Sequence, residues 1–108
     1  MTDLNEKLKL VAFYDGKSLH QKNDGKIFIH NELSFDLAIY HTSYDWQIPV
    51  WQKLCNEFLD MENKCTDDIK QFMLFKEKYC KHICYGTPLE SFEILVTAIQ
   101  FINNLKQK

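Results

Sequence analysis

The chain reads as an α+β protein in which helices pack on an antiparallel sheet, and three observations carry that reading. Leu33 to Tyr40 alternates with a period of two. The twelve residues from Tyr40 to Trp51 join that run to a helix start crowded with aromatics. Thr87-Pro88-Leu89-Glu90 then opens a long apolar helix. A length of 108 residues suits one domain over 1–108, long enough to bury about two thirds of the surface its unfolded chain exposes.

Leu4, Leu8 and then Val11 or Ala12 recur at helical spacing, so Thr2 to Phe13 is expected to be a first helix stopped at Asp15-Gly16. The polar stretch Lys17 to Gly25 reads as a loop, ending in an Asn23-Asp24-Gly25 turn before a strand at Lys26 to His30. After Asn31-Glu32, the run Leu33 to Tyr40 sets Leu33, Phe35, Leu37 and Ile39 against Ser34, Asp36, Ala38 and Tyr40. Period two buries one such face and leaves the other half polar.

Past Thr42 the pattern turns helical, with Val50 or Trp51, Leu54, Cys55, Phe58 and Leu59 forming one stripe to about Glu62. Ser43 or Asp45 is suited to cap this helix, since a side-chain oxygen there accepts from an unpaired backbone N–H. Pro49 lacks an N–H, so the first turn is expected to kink or restart there. Asn63 to Asp68 is a polar connection. The stretch from Ile69 to Tyr85 fits a helix capped by Thr66, through Ile69, Phe72, Met73, Lys76, Cys80 and Ile83, or a hairpin turning near Glu77-Lys78; periodicity slightly favours the helix. Thr87, Pro88 and Glu90 make a complete capping box, and the helix should run to about Leu105. Its apolar residues cover more than half its circumference, which predicts a sheet on one side and a helix on the other.

Apolar residues are 45% of the chain and charged residues 26%, the composition of a folded globule. The net charge of −2 rests on thirteen Lys with no Arg, which argues against a nucleic-acid binder and removes the planar fork that grips phosphates bidentately. No stretch approaches the ~20 apolar residues of a membrane span, and the acidic, amphipathic N-terminus is unlike a signal peptide. A cytoplasmic protein is expected, with Cys55, Cys65, Cys80 and Cys84 reduced.

No recognised catalytic or cofactor motif occurs. On a strand, Cys80, His82 and Cys84 would share a face, with Cys65 a possible fourth ligand. Alternate side chains there stand ~6.6 Å apart and converge poorly on one ion, so the reading is buried thiols beside a surface histidine, with no metal and no cofactor. A nucleophilic Cys with His41 or His82 as base lacks an activating helix N-terminus directly before it. Asp15, Asp24, Asp36 and Glu32 sit in turn or edge contexts that read as solvated rather than as acid–base pairs. The candidate site is therefore Tyr40, Ser43, Tyr44, Asp45 and Trp46. Ser43 or Asp45 would cap the helix, Trp46 and Trp51 would anchor it to the sheet, and Tyr40, Tyr44 and Trp46 would form a surface where a partner packs.

The segment Tyr40-His-Thr-Ser-Tyr-Asp-Trp46 with Pro49-Val50, followed by the helix register Leu89 to Glu93 through Phe101-Ile102, resembles a group of small uncharacterised phage and prophage proteins of Bacteroidetes. In that group a Ser-Trp-Asp-Trp-x-x-Pro-Val-Val signature opens the middle helix. The resemblance spans Leu4 to Asn104 and is specific from Tyr40 to Val50; Tyr44 replaces a usual Trp, and Asn103-Asn104 stand where a Trp-Tyr pair is common. It implies a β-hairpin over Ile69 to Tyr85, and so three helices with an antiparallel sheet in the order α-β-β-α-β-β-α. It implies no activity. The expected function is a non-enzymatic protein-interaction module, expected as a homodimer, acting on a protein partner in the host cytoplasm. The alternative is a small-molecule binder, such as a sequestering protein for a host nucleotide signal, with a pocket between the sheet and the helix entrance.

Overall fold

The computed structural model describes residues 2–30, 35–62 and 64–107. Within them the order is α1 (Thr2–Tyr14), β1 (Ser18–Gln21), β2 (Ile27–His30), β3 (Phe35–Leu37), α2 (Tyr44–Asp60), α3 (Thr66–Tyr85) and α4 (Pro88–Lys106). The α+β class holds, with four helices rather than three and one antiparallel sheet in the order β1-β2-β3. The expectations for Asn31-Glu32, Leu33, Ser34 and Asn63 lie outside the described residues. No helix among those described is long and apolar enough to cross a membrane.

The hairpin expected over Ile69 to Tyr85 is corrected to the continuous helix α3. Phe72, Phe75 and Tyr79 recur every three or four residues and are its buried residues. A hairpin would put Phe72 and Leu74 on one face of its first strand and Ile83 and Tyr85 on one face of its second, yet Leu74, Ile83 and Tyr85 are 49%, 38% and 88% exposed. Helical periodicity was the sounder guide, and the resemblance loses the structural feature it implied here. Cys65 rather than Thr66 is the N-cap, and its backbone N–H donates to Asp68 Oδ2 at 3.3 Å.

β1 lies where a polar loop was expected. All four of its residues are exposed, so no apolar alternation announces it. It exists because the Asn23-Gly25 turn folds it back on β2 in the register Ser18↔His30 to Gln21↔Ile27. Gly25 takes a φ of +88° in that turn, a conformation that L side chains rarely adopt. The face expected to be buried in the next strand is also corrected. Leu37 is 46% exposed, while Ala38 and Tyr40 are buried at 3% and 2%. The described strand ends at Leu37, and the chain beyond it turns Ala38 and Tyr40 inward.

α4 holds the fold together. Phe92, Leu95, Ala98, Ile99 and Ile102 are fully buried along it. Its principal neighbours are α1, α2 and α3, whereas the sheet leans chiefly on α1. The expected sheet on one side of α4 is thus not among its principal contacts, which are with helices. Its start carries one half of the expected capping box, Glu90 N–H donating to Thr87 Oγ1 at 3.3 Å, while Glu90 Oε1 accepts from the Thr87 hydroxyl at 3.1 Å.

α2 and α3 meet through rings. Trp51 stacks on Tyr79 at 4.7 Å and on Phe72 at 5.9 Å, and Phe58 stacks on Phe72 at 4.1 Å. Trp51 therefore anchors α2 to α3, where an anchor to the sheet was expected. Pro49 sits inside a helix that runs uninterrupted from Tyr44, so no restart occurs there.

Candidate functional site

The five candidate residues divide between two tasks. Ser43 is the N-cap of α2 by position, in extended backbone, but its side chain makes no capping hydrogen bond. Its carbonyl instead accepts from the N–H groups of Trp46 and Gln47, each at 3.2 Å. Tyr44 is half-buried and spans to the end of α3, its hydroxyl donating to the His82 carbonyl at 3.0 Å. These two are structural. Tyr40, Asp45 and Trp46 face a cavity.

Tyr40 is buried and no free hot spot for a partner: its hydroxyl donates to Asp15 Oδ2 at 2.8 Å, and Trp46 meets its ring edge-on at 5.1 Å. Burial first, and then the hydrogen bond to Asp15, push the Tyr40 phenol far above its ordinary range, so it stays protonated. Behind it lies Gln47, fully buried. Gln47 Nε2 donates to the carbonyls of Tyr40 at 2.6 Å and Pro88 at 2.8 Å, while its Oε1 accepts from the Tyr79 hydroxyl at 3.1 Å. One amide thus ties the junction segment to α3 and α4. Nothing in the linear pattern marks Gln47, because a polar residue between Trp46 and Ile48 looks like a solvated one.

The cavity has a volume of about 360 Å³, within the ~300–1,000 Å³ of small-ligand sites. Tyr40, Trp46, Ile29 and Pro49 line it with apolar surface, and Asp15, Asp36, Asp45 and Lys17 supply its charges. Asp15 and Asp36, read from the sequence as solvated turn residues, are brought together here by the turn after α1 and by β3. Asp24 lines other cavities, and Glu32 lies outside the described residues.

The cysteine reading changes with α3. Cys80 and Cys84 are exposed on a helix rather than buried on a strand, Cys65 is exposed and Cys55 is half-buried. Four residues of separation place Cys80 and Cys84 on one helical face and turn His82 away from it. Among the described residues no group of three His, Cys, Asp or Glu side chains is placed to hold a metal ion. Cys65 does stand at a helix N-terminus, contrary to the sequence reading.

Two ionisable groups outside the cavity set the acid sensitivity. Burial alone would raise Glu57, but hydrogen bonds from Lys106 and Tyr14 and the charges of Lys106 and Lys53 outweigh it and lower the carboxyl. His41 is lowered by burial, and its Nδ1 is buried without a hydrogen-bond partner among the described residues. In both cases the unfolded chain binds protons more readily, so stability is present at neutral pH and falls with acid. The His41 contribution declines as pH drops below about 6.5, the ordinary imidazole value, and that of Glu57 below about 4.5, the ordinary carboxyl value. Urea melts at stepped pH should show both declines. Glu57→Gln should flatten the lower one and cost about 1 kcal/mol at pH 7, the pair being partly exposed.

Fold and site together define an α+β domain with an acidic, aromatic-walled pocket at a helix entrance. The chain matches no protein-family model, no curated protein and no solved structure.

Proposed function

We propose that the protein is a non-enzymatic binder of a small organic cation, with its site between the sheet and the entrance of α2. The observation that carries this is the cavity itself, in which three carboxylates and one ammonium surround the half-buried Trp46. A cation gains there from the carboxylates and from the face of an aromatic ring. A nucleotide would meet net like charge, so the nucleotide version of a small-molecule binder is less well supported. The resemblance of Ser43 to Trp46 and Pro49-Val50 to phage proteins supports a place of action in a host cytoplasm. A protein-interaction module is the second reading, favoured by exposed apolar residues on α3 rather than by the junction aromatics.

Tryptophan fluorescence titrated with putrescine, spermidine, arginine amide and tetramethylammonium, beside AMP as an anionic control, tests the proposal. Saturable change with an amine is expected. Trp46→Phe should remove that response, and Asp45→Asn should weaken binding about 10-fold, the worth of one charge-assisted hydrogen bond. Saturation by AMP alone, or no response to any amine, rejects the cation reading.

A further inference from the structure

Three carboxylates and an aromatic ring account for a cation in the cavity beside α2, but they do not account for Lys17, whose ammonium belongs to the same lining. Among the described residues no ion pair or hydrogen bond engages that ammonium, although Asp15 stands two residues away. An unpaired positive group in an acidic pocket only opposes the binding of a simple cation. It becomes useful when the ligand brings a carboxylate of its own.

The backbone presents Lys17 and Asp15 together as a pair of opposite charges. α1 closes in a left-handed turn: Gly16 has a φ of +76°, its N–H donates to the Phe13 carbonyl at 3.1 Å, and the Lys17 N–H donates to the Ala12 carbonyl at 3.0 Å. Asp15 and Lys17 flank that glycine, and both line the cavity. The Tyr40 hydroxyl holds Asp15 Oδ2 at 2.8 Å, which fixes the carboxylate and leaves Oδ1 to accept from a ligand. A carboxylate beside an ammonium complements the ammonium and carboxylate that an α-amino acid carries on one carbon.

The remainder of the cavity suits a second positive charge. Ile29 pairs with Leu19 on β1 and with Asp36 on β3, so these three share one sheet face, and Lys17, two residues before Leu19, continues it. Lys17 and Asp36 thus stand at the two edges of that face, two strand spacings or ~10 Å apart. Asp45 and Trp46 reach the same cavity from the first turn of α2. A ligand lying across this face sets its zwitterionic head at Asp15 and Lys17, and its cationic tail among Asp36, Asp45 and the Trp46 ring. On the basis of the cation reading above, we propose that the ligand is a free basic amino acid, of the arginine or lysine kind, and that Lys17 selects it over the amine that lacks a carboxylate.

Isothermal titration calorimetry of the full chain with L-arginine and with agmatine, which is arginine without its carboxylate, tests this. A site that reads charge alone prefers agmatine, a dication, over arginine with its single net charge, so the order of the two affinities decides. The wild type should bind arginine about 10-fold more tightly, the worth of one charge-assisted hydrogen bond. Lys17→Met, at an exposed position, should leave the circular-dichroism melt unchanged, weaken arginine about 10-fold and leave agmatine bound equally or more tightly. Lys17→Arg should keep the preference for arginine. Equal or tighter binding of agmatine by the wild type, or a preference for arginine that survives Lys17→Met, overturns the inference and leaves the cation reading standing. Silence towards both compounds overturns the two together.

Discussion

Replacing Trp51 with alanine is expected to lower stability by about 3–5 kcal/mol, a large part of the ~5–15 kcal/mol that a domain possesses. The size follows from position. Trp51 is 8% exposed and stacks on both Tyr79 and Phe72, so truncation opens a cavity between α2 and α3 that neither helix can close alone. Chemical denaturation gives the magnitude, and hydrogen exchange gives the location. Protection should fall most over Thr66–Tyr85, because Trp51 and Phe58 of α2 supply the rings that face α3 at this contact. Trp51→Phe should cost less than half as much, since a smaller ring still stacks. A loss below 1 kcal/mol for the alanine variant would mean that α3 is held chiefly by α4.

Gln47→Leu is expected to cost about 3–5 kcal/mol although leucine fills a similar space. The substitution strands the Tyr40 carbonyl and the Tyr79 hydroxyl at a fully buried position and removes a second bond from the Pro88 carbonyl, and each unsatisfied group costs about 1–3 kcal/mol. Adding Tyr79→Phe to Gln47→Leu should recover about 1 kcal/mol, because it removes one of the stranded groups. That coupling, measured as a double-mutant cycle by urea denaturation, separates loss of hydrogen bonding from simple misfit. Additive costs would place the Tyr79 hydroxyl outside the network.

Local, short-range signals were legible from the residues alone. α1 and α4 appear where their spacing and caps put them, because a capping box and a helical stripe are decided within a few residues of chain. The entrance of α2 at Ser43 was legible for the same reason. β1 was not, since an edge strand with every side chain exposed leaves no burial pattern to read. α3 was readable by periodicity and misread by analogy.

At the site, Tyr40, Asp45 and Trp46 could be singled out because aromatics and a cap cluster at one junction. Asp15, Lys17 and Asp36 could not, as they come from separate turns and edges. Period, capping and composition are properties of neighbouring residues, and they suffice for helices and for the class of fold. Which face of a strand turns inward, which buried amide bridges three elements and which carboxylates share a pocket depend on contacts between residues distant in sequence. Those contacts come into being when α1, α2 and α3 close around α4 and the sheet settles against α1.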